Sequence, residues 1–182
     1  MARTVVIAAH PQMAQSRVTA RLMRRAARDG PDVDVRDLYA LYPDHWIDPA
    51  AEQRALAAAQ AIVWLHPVHW YGMPALLKLW LDEVFAFGWA YGPGGHALRG
   101  KALWLVVSTG GTPESYSATG THGRPFADFL PPYERTAALT GLRWCEPLVL
   151  HGAHRVDEPA LQAFEDRFAA GLARLAGAPA DG

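Results

Sequence analysis

The chain of 182 residues has a single cysteine, Cys145, so no intrachain disulfide staples it. That cysteine lies in an apolar stretch, LRWCEPLVL, where a buried inert thiol is expected rather than a nucleophile. Charge of one sign is also missing: 17 basic against 18 acidic residues leave a net charge of −1. A general nucleic-acid binder would be basic, so that class is set aside. No polybasic cluster is present to hold an anionic membrane, and no apolar run approaches the ~20 residues of a membrane span. The opening ARTVVIAAHP is too short in its apolar part, and lacks the cleavage region, for a signal peptide. A soluble cytoplasmic protein is the expectation. Internal repeats are absent, and no linker breaks residues 1–182 before a short tail, 177–182, that is expected to fray. One domain with its own core is therefore expected. Hydrophobic residues at 51% and charged residues at 19% exclude a disordered chain.

What is present is an alternation of strands and helices. Residues 4–9 (TVVIAA), 61–65 (AIVWL), 102–107 (ALWLVV) and 147–150 (PLVL) are short, continuous and apolar, the pattern of buried strands. Residues 33–38 (VDVRDL) alternate, which suits a half-exposed edge strand. Between them, Ser16 caps a helix carrying Val18, Leu22 and Ala26 that stops at Gly30-Pro31. An Ala-rich helix covers 50–59, Pro74 opens a third over 74–87, and a fourth lies near 127–140. The last opens at 157–159, with Leu161, Phe164, Phe168, Leu172 and Leu175 on one stripe. Such alternation implies an α/β fold with right-handed βαβ units. Five strands fit a flavodoxin-like parallel sheet of order 2-1-3-4-5 with helices on both faces, whose ligands bind beyond the carboxyl ends of the strands at the switch point between strands 1 and 3.

Three loops end at that edge. The first, AAHPQMAQSRVT, runs from a strand into a helix N-terminus, a ready anion site to which His10, Ser16, Arg17 and Thr19 add donors and charge. It is neither G-x-x-x-x-G-K-[ST] nor G-x-G-x-x-G, which disfavours a P-loop hydrolase and a dinucleotide turn. The second, HPVHWYGMP, is stiffened by Pro67 and Pro74, has Gly72 for an unusual backbone angle, and offers flat Trp70 and Tyr71 to a planar heterocycle. His66 and His69 lack the Cys, Asp or Glu that would complete a metal site, and none is expected. The third, STGGTPESYSATGTHG, has Gly110-Gly111 for close approach and Ser108 and Thr109 as donors. Tyr116 and His122 follow, a phenol and an imidazole suited to stabilising an anionic oxygen or relaying a proton. A serine hydrolase using Ser108 or Ser115 with His122 lacks the G-x-S-x-G elbow. A flavin mononucleotide would use all three loops at once.

These residues resemble the flavodoxin-like NAD(P)H:quinone oxidoreductases, and among them the ancillary oxidoreductase subunits of glutathione-gated potassium efflux systems. The resemblance is carried by LYALYPDHWID, by AEQRALAAAQAIVWLHPVHWYGMPALLKLWLDEVFAFGWAYG and by HALRGKALWLVVSTGG. It implies a flavin phosphate on His10 and on Ser16, Arg17, Val18 and Thr19. It implies an isoalloxazine along Pro67, Val68, His69, Trp70 and Tyr71, opposite Ser108, Thr109, Gly110 and Gly111. YSATGTHG is similar to the segment of two-electron quinone reductases in which a Tyr and a His assist hydride transfer, implying that role for Tyr116 and His122. The efflux ancillary proteins lack a Tyr at the position of Tyr116, so the chain combines two patterns. The C-terminal region is short of anything to grip an adenosine, so FMN is expected over FAD, with NAD(P)H as co-substrate and a quinone as acceptor. Two other readings share these residues: a regulatory subunit held at the inner face of the membrane by a potassium efflux transporter, and an azo- or nitroreductase. A homodimer is expected through helix 74–87. Its Leu76, Leu77, Trp80, Leu81, Val84, Phe85 and Phe87 spread over about half the circumference, wider than the ~100° stripe of a one-sided helix.

Overall fold

In the computed structural model, which describes residues 4–28 and 32–177, five parallel strands form one sheet of order β2-β1-β3-β4-β5. They are β1 (Thr4–Ala8), β2 (Val33–Asp37), β3 (Ala61–Pro67), β4 (Ala102–Ser108) and β5 (Arg143–Leu150). The α/β class and the strand order are those the sequence pattern implies. The proposed stop of the first helix at residues 30 and 31, and tail residues 178–182, lie outside the described residues.

Three of the four continuous apolar runs take the centre of the sheet, where both faces are covered, and the fourth lies in edge strand β5. Along β1, Val5 and Ile7 enter one core while Val6 and Ala8 enter the other, the two-residue alternation of a strand. One face is covered by α1 (Thr19–Arg28) and α6 (Glu158–Gly177), through Leu22, Leu161, Phe164 and Phe168. Asp157 accepts the Ala160 N–H at 2.9 Å and caps α6. At Gly171 a Cβ would stand 2.1 Å from the Trp104 ring, so the missing side chain lets α6 settle onto β4. The other face carries the one-turn α2 (Leu38–Leu41), α3 (Pro49–Ala58), α4 (Ala75–Val84) and α5 (Pro131–Thr140). Glu52 of α3 ties this layer together. Fully buried, it accepts from Arg36 Nε (2.9 Å) and Nη2 (2.6 Å), from Trp80 Nε1 (2.9 Å) and from the Tyr42 hydroxyl. A buried carboxylate is tolerable when its lone pairs are met in this way, and here they fasten β2 and α3 to the α4 helix behind the second loop.

Three elements differ from their sequence patterns. Helix α4 ends at Val84, and Leu76, Leu77, Trp80, Leu81 and Val84 are all buried within this chain. Its wide apolar surface therefore needs no second subunit, and Phe87 lies beyond the helix, exposed. The helix expected near 127–140 is divided into a 3-10 turn, Phe126–Phe129, and α5, because Pro131 and Pro132 fit only a first turn. Strand β5 begins at Arg143, and its register slips between Trp104↔Cys145 and Val106↔Leu148, so Pro147 falls in a bulge on an edge strand. Among the described residues no helix is long and apolar enough to cross a membrane.

Candidate active site

Beyond the carboxyl ends of β1, β3 and β4 opens a cleft of about 540 Å³. The first loop lines it with His10, Ser16, Arg17 and Val18, the second with Pro67, Val68 and His69, the third with Ser108, Thr109 and Gly110. Thr19 is not on this wall; it is buried in the first turn of α1. Trp70, Tyr71, Gly111, Tyr116 and His122 also stand outside the cleft's immediate lining. Pro11, Gln12, Gln15, Ala153 and His154 line it without having been singled out. The last two belong to HGAH, which follows β5 at the same sheet edge, and that position was the available signal.

The first loop is shaped by its own side chains. Ser16 Oγ accepts the Ala20 N–H at 3.2 Å, across the start of α1. The Arg17 guanidinium donates to Val156 O at 3.1 Å, joining this loop to the one before α6. His10 Nδ1 accepts the Gln12 N–H at 3.1 Å, which leaves the ring proton on Nε2. Burial, with His69 adding to it and Asp37 opposing, holds the His10 pKa below its usual value. At neutral pH the permanent cation on this wall is Arg17.

The second loop is a tight hairpin. His69 and Gly72 exchange both backbone hydrogen bonds at 3.0 Å, and the two residues between them, Trp70 (φ 48°) and Tyr71 (φ 65°), are left-handed. Two left-handed central residues define a type I′ turn, which normally calls for Asn and Gly. The unusual angles fall on the two aromatics and not on Gly72. Trp70 is 95% exposed, while Tyr71 stacks on Phe129 at 4.9 Å and its hydroxyl lies 3.4 Å from His122 Nδ1.

The third loop brings Tyr116 and His122 together, their rings stacked at 4.2 Å and 26°. Both stand against Gly111, where a Cβ would come within 2.7 Å of His122 Nε2 and 3.1 Å of the Tyr116 ring. At Gly110 a Cβ would approach His154 Nε2 to 3.3 Å. The glycines thus provide room, and neither takes a positive φ. Burial raises the Tyr116 pKa, with Thr109 opposing and Tyr71 adding.

The flavodoxin-like fold model matches residues 2–172, almost the whole chain. The chain belongs to this family. It is 48% identical over 161 residues to the glutathione-regulated potassium-efflux system ancillary protein KefF of Citrobacter koseri, covering 87% of this chain and 89% of the relative. Among solved structures it is similar to general stress protein 14 of Treponema denticola in complex with FMN, at 38% identity and a TM-score of 0.85, covering 96% of this chain and 98% of that one. It is also similar to an NADPH-quinone reductase from P. pentosaceus, at 27% identity and a TM-score of 0.83, covering 92% and 95%.

In this flavodoxin-like chain His66 and His69 are not partners. His69 lines the cleft, whereas His66 is fully buried beneath it and stacks on Tyr133 at 5.9 Å. His66 Nδ1 lies 2.9 Å from Pro67 O, and a carbonyl only accepts, so the proton is on Nδ1. Burial pushes its pKa down to about 4, keeping it neutral. Among the described residues no three His, Cys, Asp or Glu side chains converge on a metal site.

Proposed function

We propose that the chain is an FMN-dependent NAD(P)H oxidoreductase that passes a hydride from NAD(P)H to a quinone-type acceptor by a ping-pong route. The observation that carries this reading is one cleft with two chemically different ends. One end has Arg17, Ser16 and the N-terminus of the ten-residue α1, suited to a phosphate. The other has the bare wall at Gly110, with Gly111 and the Tyr116–His122 pair just beyond the lining. A volume of about 540 Å³ lies within the ~300–1,000 Å³ of ligand sites, and a side chain at Gly110 would crowd His154, which shares the lining. The similarity to an FMN complex at 38% identity supports FMN as the cofactor.

FMN, when bound, supplies a two-electron relay between a nicotinamide donor and the acceptor. The protein's part is to orient and to hold charge. Arg17 and the α1 N–H groups would hold the phosphate. Val68, His69, Ser108 and Thr109 would flank the ring, and Trp70 and Tyr71 would edge the slot for donor and acceptor. Tyr116 and His122 offer an O–H and an N–H to the edge that becomes negative. One donor of this kind in a partly dry site contributes ~2.7–4 kcal/mol. Tyr116→Phe and His122→Gln are expected to slow anaerobic flavin reduction about 100-fold while FMN still binds. The test is the visible spectrum with added FMN, then NAD(P)H, then a quinone. Bands that bleach and return support the reading; no FMN uptake, or normal bleaching speed in both variants, removes the activity or the two assigned roles respectively.

The 48% identity to an efflux-system ancillary protein favours a second, compatible reading, in which the chain docks on a potassium efflux transporter at the membrane. Co-purification of the two at physiological ionic strength supports it, and recovery of the chain without a transporter counts against it. Separately from the transporter, the chain is proposed to be a homodimer.

A further inference from the structure

The third loop poses a mechanical problem. Among the described residues, every backbone hydrogen bond of segment 112–124 is internal: Ser115 to Thr112, Tyr116 to Pro113, Gly120 to Ser117, His122 to Ser115 and Gly123 to Gly120. No ladder ties Tyr116 to the sheet. Its ring is held by other rings: His122 on one side, Phe126 edge-on at 5.3 Å, and His151 at 5.1 Å. Of these, His151 alone is anchored to the end of a central strand. Its Nδ1 lies 2.9 Å from the hydroxyl of Thr109, the first residue beyond β4.

Thr109 is itself held on several sides. It is buried, its N–H donates to Leu150 O (2.8 Å), its carbonyl accepts from Ala153 (2.9 Å), and its hydroxyl donates to Gly111 O (2.8 Å). Gly111 O also accepts from Gly152, at 2.8 Å. A hydroxyl has one hydrogen. With it committed to Gly111, Thr109 Oγ1 faces His151 as an acceptor, and Nδ1–H is the donor. The imidazole therefore has a fixed tautomer and a fixed plane, and Phe126 packs edge-on against it at 5.4 Å.

We propose that His151 is a positioning residue for the Tyr116–His122 pair, a ring locked by Thr109 to the end of β4 against which the phenol is set. Its kinetic consequence rests on the oxidoreductase reading; its geometry does not. Glycines 110 and 111 leave the cleft wall bare, so the phenol's place is defined by side chains, and a misplacement of about 1 Å costs up to ~100-fold in rate.

The test uses the whole chain, first without FMN. Nitrogen-15 shifts of His151 are expected to report a protonated Nδ1 and a bare Nε2. With ¹³Cζ-tyrosine, assigned by Tyr116→Phe, the Tyr116 resonance and its titration are expected to move in His151→Phe, which keeps a ring but loses Nδ1. They should move likewise in Thr109→Val, which keeps shape but loses Oγ1, and return in Thr109→Ser. Loaded with FMN, His151→Phe is expected to bind it as before and reduce it ~10–100-fold more slowly. If the Phe variant fails to fold, His151→Gln takes its place, because Thr109 also acts on Tyr116 directly and the Val and Ser pair cannot separate the two routes. Unchanged Tyr116 signals in the His151 variant overturn the proposal, whatever Thr109→Val does. A Tyr116 signal that moves in a protein that never bleaches with NAD(P)H keeps the clamp and removes the oxidoreductase.

Discussion

His66 turns burial into a pH dependence. Its Nε2 has no hydrogen-bond partner, so a second proton there would be a charge without an acceptor in a fully enclosed place. In the unfolded chain a histidine titrates near 6.5, in the native one His66 titrates at about 4. Between those values the unfolded state binds a proton that the native state refuses. Stability from this residue is therefore complete above pH 6.5 and falls as the pH drops toward 4, by about 3 kcal/mol in all. Urea unfolding at pH 7 and pH 4.5 measures it. His66→Gln should lose much less stability over that interval than the wild type, because carboxylates elsewhere act equally on both. Parallel losses in the two proteins would show that His66 takes its proton in the native state.

The I′ turn of the second loop shows the same tension in an element. Bulky residues at φ 48° and 65° are strained, and such conformations cost ~1–3 kcal/mol each. Strain kept at a cleft edge is what a site needing aromatics at that point would retain. Trp70, 95% exposed, returns little packing for its share. Trp70→Asn, the residue this turn favours, is expected to raise stability by about 1 kcal/mol and to impair turnover with a quinone. Differential scanning calorimetry beside steady-state kinetics checks both, and a lowered Tm would mean that the indole packs in solution. This turn was not legible in the sequence, where HWYG points to Gly72 as the unusual residue. The sheet was legible, because AIVWL and ALWLVV are continuous apolar runs that only central strands make. The first half of β5 was hidden by Pro147, which a bulge accommodates. His151 and His154 were missed because the tie between Thr109 and the loop after β5 is tertiary, over some forty residues of chain.

At the scale of the whole molecule, what α4 withdraws from the surface is replaced elsewhere. Trp46 (83% exposed), Trp70 (95%) and Phe87 (68%) stand in solvent on loops flanking α3 and α4. A net charge of −1 offers little repulsion between copies. Single exposed apolar residues are ordinary, but large aromatics are the residues that anchor interfaces. A homodimer that covers them would place a second chain beside Trp70 and Tyr71, at the rim of the cleft. Assembly and turnover would then be linked by mass action, since a state that binds stabilises with concentration. Sedimentation velocity is expected to give a dimer at micromolar concentration, and Trp46→Glu or Phe87→Glu to shift it toward monomer. Specific activity should fall on dilution through the same range. A monomer with concentration-independent turnover would return the three aromatics to the list of unremarkable surface residues and leave the cleft complete within one chain.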